Sequence, residues 1–518
     1  MKDLILTIDV GTQSIRSGLI DPGGKIVAIK RNPIESYFSP KPGWAEQHPA
    51  YFWEQLCLST RSLLEENKPN IDRIAGVTLT TQRSTVITVD SKGVPLRPAI
   101  VWPDQRREKD FLSLGLFFDI GFKIIGMYET VKYAQAEAEI NWLRKNQPEI
   151  VKKTFKYLYL SGFITYKLTG LFRDSYAAQV GYIPFDYKHF KWSPRFSWKW
   201  KAFPVPKEML PELVPPGEIL GEIIESASKE TGIPEGLPVI AAGSDKACEL
   251  VGAGCVSPDI AGISFGTTAT VSVNIRKYTE VIPFIPPYPS VIRGMYSPEV
   301  QIYRGFWLVS WFKKEFGTKE ILQAEREGRA VEELFEKLIR EVPPGSHGLI
   351  LQPYWSPGVK VPGPEAKGAI IGFGEIHTRS HLYRAIIEGL CYALREGAEK
   401  IQRRSGIRVR ELRASGGGAQ SDSTLQIASD IFNISVKRPG TFETSSLGAA
   451  IVATPRLGLH SDVFSAIKEM TSTTKIFYPN RDASKIYNEL YSKIYKHLYK
   501  HLRHFYYTIQ RITRYPDI

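Results

Sequence analysis

The chain predicts an α/β fold of two domains with a ligand cleft between them, and three features carry that prediction. The segment from Leu4 to Ile20 runs as apolar strand, polar turn and strand, with Asp9 in the first apolar run and Gly11, Thr12, Gln13 and Ser14 at the turn. Residues Ile260 to Ile275 repeat the plan, with Gly266, Thr267 and Thr268 at the bend. Two such segments about half a chain apart indicate internal duplication with a ligand held between the copies. Strand patterns alternate with helical ones elsewhere, which indicates α/β architecture. The length of 518 residues also exceeds the roughly 250–300 at which a single core stops growing.

Taken in order, three strands reach about Ile29, and a helix follows Pro49 with Phe52, Leu56, Ser59 and Leu63 at helical spacing. Strands are predicted at Gly76 to Thr80 and at Val86 to Asp90, the latter ending in the turn Asp90 to Gly93. Asp110 to Gln147 reads as helical, closing near Pro148, and Asp186 to Pro216, rich in Trp, Pro and Lys, reads as an irregular insert. The strand Val239 to Gly243 aims its carboxyl end at Asp245 and a following helix, with the boundary between halves expected near Gly254 to Asp259. In the second half, Ile282 to Pro289 is a proline-rich loop and Trp307 to Phe316 is helical. Ser380 to Gly406 is a long helix with Leu382, Ile386, Leu390, Ala393 and Ile401 on one face. A terminal amphipathic helix places Tyr487, Leu490, Tyr491, Ile494, Leu498 and Leu502 together.

The turns suit anionic oxygens, because small residues let backbone N–H groups approach them and an adjacent carboxylate such as Asp9 can hold magnesium. An ordinary hairpin with Asp and Gly at the bend fits the first segment alone equally well. A third element, Leu412 to Ser421, is a glycine-rich loop leading into a helix near Asp422, and its glycines let a flat base or ribose lie against the backbone. Asp245, at a strand end and a helix start, fits either a carboxylate at a cleft mouth or a helix N-cap.

These motifs, with Thr80 to Thr85, Ala99 to Arg106, Leu168-Thr-Gly170, Ala242 to Asp245 and Gly368 to Phe373 followed by His381-Leu382 and Ala385 to Glu388, resemble the FGGY family of carbohydrate kinases from about Leu4 to Tyr499. The resemblance implies two actin-like (ribonuclease H-like) domains, residues 1–254 and 255–518, each a mixed sheet flanked by helices, with ATP, Mg2+ and a small sugar or polyol meeting in the interdomain cleft. It makes Asp245 the catalytic base and Asp9 the metal-associated carboxylate. Thr12, Gln13 and Ser14 and then Gly266, Thr267 and Thr268 contact phosphates, while Gly416, Gly417, Gly418 and Ala419 back the adenosine. Gln82 and Arg83 face the acceptor together with Asp245. Trp102, offering an apolar face, and Asp104, accepting hydroxyl bonds, complete that pocket or serve structure alone. A homodimer is the assembly that family analogy allows.

Five departures from family patterns stand out, the first four of which bear on the acceptor. Ser84 stands where glycerol kinases carry Glu, Lys246 where they carry Gln, and Glu139 where a family signature has Lys; the Met-His of xylulokinases is absent, and Phe373 replaces a smaller aliphatic. Ser84 leaves room for a longer chain and weakens the hold on glycerol, so a ketose or polyol such as a ketopentose is expected, with glycerol the alternative. Lys246 fits a surface-facing lysine or a partner for an acceptor carboxylate. A nucleotide-driven conformational switch is the rival from another class, lacking an acceptor pocket. A sugar-responsive regulator would carry a helix-turn-helix extension, and none precedes Leu4.

Composition narrows the partners. Hydrophobic content of 43% and charged content of 23% are those of a globular chain, and no apolar run approaches a membrane span of roughly 20 residues. Asp9 inside the first apolar run argues against a secretory signal. The four cysteines, Cys57, Cys248, Cys255 and Cys391, form no metal or disulfide pattern, so a cytoplasmic protein is expected. Cys248 is a packing residue or a reactive one. The formal charge of +13 is spread along the chain rather than blocked, which predicts no nucleic-acid and no membrane partner.

Overall fold

A computed structural model describes residues 2–356, 358 and 362–515. Its frame is two six-stranded sheets. The first contains β1 (Leu4–Val10), β2 (Ser14–Ile20), β3 (Ile26–Pro33), β4 (Ile74–Thr81), β5 (Ile219–Glu222) and β6 (Pro238–Ser244), in the spatial order β3-β2-β1-β4-β6-β5. The second contains β7 (Ile260–Phe265), β8 (Ala269–Val273), β9 (Glu299–Ile302), β10 (Glu411–Ser415), β11 (Ser435–Pro439) and β12 (Thr473–Phe477), in the order β9-β8-β7-β10-β11-β12. Each sheet joins an antiparallel three-stranded meander to two parallel strands and an antiparallel edge. The duplication expected from the two turns is thus a duplication of whole sheets, with the last two strands reached in opposite chain order. Every residue of β1 is buried, as a central strand covered on both faces requires, which is why Leu4 to Ile8 read as one apolar run.

Helix α1 (Pro49–Glu66) covers the first sheet through Phe52, Leu56 and Leu63, as its periodicity predicts. The expected single helix over Asp110 to Gln147 is instead α2 (Leu116–Ile124), α3 (Tyr128–Glu137) and α4 (Glu139–Asn146). Gly115 and Gly126 take positive φ values of 96° and 67°, and Ala138 is extended, so the chain turns at each. The insert after Asp186 is mostly irregular, with a short strand pair and one helical turn tied by Trp192 and Trp200 indoles donating to backbone carbonyls.

Between the sheets lie α5 (Asp245–Gly252) and a helix from late in the chain, α10 (Thr444–Ala453). Four helices come between them in sequence that matter below: α6 (Trp307–Phe316), α7 (Val331–Arg340), α8 (Arg379–Ser405) and α9 (Asp422–Phe432). Helices α5 and α10 cross at glycines. A Cβ on Gly252 would lie 1.9 Å from the Thr444 carbonyl oxygen, and one on Gly448 would lie 1.9 Å from that of Cys248. Leu447 and Ala449 to Ala453 share a core cluster with residues of the first half, so that half is completed by a helix from the second.

The long helix α8 starts in a capping box between Thr378 and His381 and ends at Gly406, which is left-handed at φ 77°. The terminal helical run buries Tyr487, Tyr491, Tyr495 and Leu498, whereas Ile494, expected on that face, is exposed. All four cysteines are free and buried, and burial pushes the Cys248 thiol up to about 12, which makes it a packing residue. Among the described residues, no helix is long and apolar enough to cross a membrane.

Candidate active site

The carboxyl ends of β1, β4 and β6 converge with the β7–β8 turn and the loop after β10 on one cleft of about 2410 Å3. That convergence follows from the parallel strands, whose ends open together at one edge of each sheet. Asp9, Thr12, Gln13, Gln82, Arg83, Trp102, Asp104, Asp245, Gly266, Thr267, Thr268, Gly416, Gly417 and Gly418 all line it. Ser14 and Ala419 do not. Ser14 is buried in β2 with its hydroxyl accepting from Arg31 Nε at 3.3 Å, and Ala419 is fully buried, its carbonyl accepting from Arg438 Nε at 2.9 Å.

The first turn is fixed by a chain of donors. The Trp102 indole donates to Thr12 Oγ1 at 3.0 Å, Thr12 donates to Gln82 Oε1 at 3.0 Å, and the Gln82 amide N–H holds the Val10 carbonyl at 2.9 Å. Gln82 Nε2 is left buried without a partner at the cleft wall. Asp9 lies opposite Arg16 in the hairpin register and accepts from its Nη1 at 3.0 Å. Burial, opposed by Arg16, pushes the Asp9 carboxyl up to about 7. Arg16 also faces Glu443, just before α10, at 3.4 Å. Glu443 went unrecognised in the sequence because nothing local marks a residue 427 positions downstream (443 − 16) as a neighbour of Arg16.

Asp245 opens α5, and its Oδ1 accepts from the Lys246 amide at 2.8 Å. Burial raises its pKa, against the pull of Arg83 and Lys246. The reading of Lys246 as surface-facing is corrected: its ammonium points into the cleft floor, donating to Ser264 Oγ at 2.7 Å and Glu249 Oε2 at 2.9 Å. Those bonds, with Ser415 donating to Glu249, tie α5 to β7 and β10 of the opposite sheet.

At the second turn the Phe306 amide donates to the Gly266 carbonyl at 2.9 Å, and Thr268 Oγ1 donates to the Tyr303 carbonyl at 3.2 Å. Gly416 is left-handed at φ 79°, and a Cβ there would sit 2.8 Å from the Phe265 carbonyl carbon, while one on Gly418 would strike the Phe306 ring at 2.1 Å. Both are therefore required by packing. Gly417 has nothing within 4 Å and leaves the cleft wall open.

On the opposite side, Arg83 Nη2 donates to Glu299 Oε1 at 3.0 Å, an ion pair between the two halves of the chain. Ser84 is left-handed at φ 53° and its hydroxyl is spent on the Val180 carbonyl at 2.8 Å. Asp104 is a correction: both of its oxygens are consumed, Oδ1 by Arg106 N and Nε and Oδ2 by Ala45 N and Arg106 Nη2, so none is free for an acceptor hydroxyl. Glu139 faces the cleft, and burial pushes its carboxyl up to about 8. Among the described residues, no group of three or more His, Cys, Asp or Glu side chains could hold a metal by itself.

Two sheets of the same topology thus close on one cleft, lined from both halves of the chain, with a carboxylate at a strand end. The chain belongs to the FGGY family of carbohydrate kinases: the model of the family's N-terminal domain matches residues 4–252 and that of its C-terminal domain residues 261–455. Members are phosphotransferases with an alcohol group as acceptor, and ATP binding follows from the family. The chain is 27% identical over 493 residues to the xylulose kinase of Staphylococcus epidermidis, covering 94% of this chain and 95% of that one. It is 29% identical over 497 residues to the glycerol kinase of Thermococcus gammatolerans, covering 93% and 94%. The fold matches the ligand-bound xylulose kinase structure from Lactobacillus acidophilus with a TM-score of 0.81 at 20% identity, over 96% of this chain and 98% of that one.

Proposed function

We propose that the protein transfers the γ-phosphate of ATP to a hydroxyl of a small sugar or polyol, with ketoses or polyols of about four to six carbons preferred to glycerol. The observation that carries this reading is Asp245, a carboxylate whose pKa burial raises, at a strand end, within the field of Arg83 and lining the same cleft as the second turn. A phosphoryl transfer site needs an anchored nucleotide, an acceptor hydroxyl in line with it, and a group to take that hydroxyl's proton. Asp245 takes the proton, and its raised pKa brings it closer to the working pH than an exposed aspartate would be. Backbone N–H groups of Thr12, Gln13, Gly266, Thr267 and Thr268, with the Thr267 hydroxyl, face the phosphates from two sides. Gly417 gives the adenosine its flat approach. Gln82, with its orphaned Nε2, and Arg83 hold the acceptor, and Trp102 contributes by fixing Thr12 and Gln82.

Mg2+ fits Asp9, because a buried carboxylate whose charge Arg16 opposes suits a cation that keeps several waters and takes few protein oxygens. Bound there, it would neutralise phosphate charge. The division into halves at residues 254 and 255 is the hinge of this reading, since the phosphate-facing groups lie on both sides of it. The test is kcat/KM at one ATP concentration for glycerol against D-xylulose, D-ribulose, L-ribulose, erythritol and gluconate. Glycerol should trail the best of these; glycerol ahead by about tenfold would overturn the preference, since hydroxyl-matched sites discriminate strongly.

A further inference from the structure

Helix α2 is apolar on both of its faces. Phe122 is buried, its ring meeting Trp198 edge-on at 5.2 Å and Phe284, from the second half of the chain, at 5.6 Å. The outward positions Leu116, Phe117, Ile120 and Ile124 are each between 47% and 84% exposed, and Leu112 and Ile125, also exposed, extend the patch past both ends of the helix. A helix that is apolar all round belongs in an interior, and a contiguous apolar patch left at the surface marks a docking face. Nothing among the described residues covers it.

The insert beneath α2 is basic. From Tyr187 to Lys207 it holds six Lys or Arg residues and no Asp or Glu, and none of the six forms an ion pair among the described residues. Lys201 meets the start of α2, its Nζ donating to the Leu114 carbonyl at 3.0 Å. Exposed Arg195 and Phe196 lead into Trp198, and Lys123 is exposed on α2 itself. The acids of this region are partly spent: Asp119 accepts from the Ser113 hydroxyl at 2.9 Å, Asp110 pairs with Lys145, and Glu129 lies past the turn at Gly126.

We propose that α2 and the 187–207 insert form a docking surface for a membrane leaflet rich in anionic lipid, against the expectation of no membrane partner. The outward apolar side chains enter the boundary between headgroups and acyl chains, and Lys123, Arg195 and Lys201 meet lipid phosphates; the helix lies on the leaflet and does not span it. A nucleic acid matches the cations alone and leaves Leu116, Ile120 and Ile124 in water. A second copy of this chain matches the apolar face but sets the same unpaired cations against one another, which costs binding. The proposal is independent of the phosphotransfer reading.

The test is co-sedimentation of the intact protein with vesicles of phosphatidylcholine alone or of equal parts phosphatidylcholine and phosphatidylglycerol, repeated with Phe117→Ser/Ile124→Ser and with Lys123→Glu/Arg195→Glu. All four side chains are exposed, so the fold is kept. The intact protein should bind the mixed vesicles about tenfold or more tighter than the neutral ones, and each double variant should weaken that binding by about tenfold. The comparison of the two vesicles with the intact protein alone already decides the matter if a variant fails to fold: no binding, or equal binding to both, overturns the proposal. Binding that the charge variant loses and the apolar variant keeps marks a polyanion site and overturns it as well. So does a dimer in sedimentation velocity that Phe117→Ser/Ile124→Ser abolishes, without vesicle binding, since the face then belongs to a second copy.

Discussion

Asp245 and Asp104 both line the cleft, and their surroundings give them opposite work. Asp104 is held by Arg106 and the Ala45 amide with its side chain 5% exposed, so it is part of the frame. Asp104→Ala should cost about 3–5 kcal/mol, the usual penalty for stranding a buried charge, measured by denaturant unfolding. Asp245→Asn should keep the fold and nucleotide affinity while kcat falls by roughly 10² to 10⁴, the contribution of a positioned general base. Because the Asp245 pKa is raised, the acid limb of the wild-type kcat profile should lie above the ordinary carboxylate range, activity rising with pH as the proton leaves. A second buried carboxyl, Asp174, is pushed up to about 7 while accepting from Ser161, Gln179 and the Ser175 amide. Its folded pKa exceeds its unfolded one, so the folded state holds the extra proton between the two values and loses stability as pH rises through that window. Wild type should therefore lose Tm relative to Asp174→Asn between about pH 4 and pH 7; a constant difference would contradict the assignment. Thr12, Gln82, Arg83 and Asp245 were legible because each sits in a local turn or at a strand end. The partners that define their chemistry were not: Glu299 lies 216 residues from Arg83, and no local pattern joins them.

At the scale of elements, periodicity revealed what local residues dictate and missed what tertiary contacts decide. Helices α1 and α8 could be read because their apolar spacing and caps are intrinsic to the segment. The break of the 110–147 region into three helices was hidden, because glycine takes a helical φ as readily as the positive values of Gly115 and Gly126, and nothing in Ala138 marks its extended backbone. The crossing of α5 on α10 is the least legible element of all, since it depends on two glycines nearly 200 residues apart (448 − 252 = 196) meeting backbone to backbone. Gly448→Ala should cost about 1–3 kcal/mol as an overpacked contact, lowering Tm. An unchanged Tm would mean that the two helices are free to separate.

For the whole molecule, duplication was visible as two turns, yet the equivalence of the two sheets, including the exchanged order of the last two strands, is a property of topology alone. Arg83–Glu299 and Lys246–Ser264 already link the halves across the cleft, and under the proposed mechanism, in which groups on both sides face the phosphates, ligands are predicted to shut it further. Small-angle scattering with a non-hydrolysable ATP analogue and a saturating acceptor should show a more compact particle than the protein alone. Identical profiles at saturation would contradict closure.

The central claim is that this cleft joins ATP to an acceptor hydroxyl. It is tested most directly by following the γ-phosphate of labelled ATP in the presence and absence of a ketose or polyol. The account predicts one phosphate ester on the acceptor for each ADP released, with ADP release negligible when the acceptor is withheld. ADP release that proceeds equally without an acceptor, its phosphate appearing free in solution, would contradict the account and mark the protein as a nucleotide-driven switch instead.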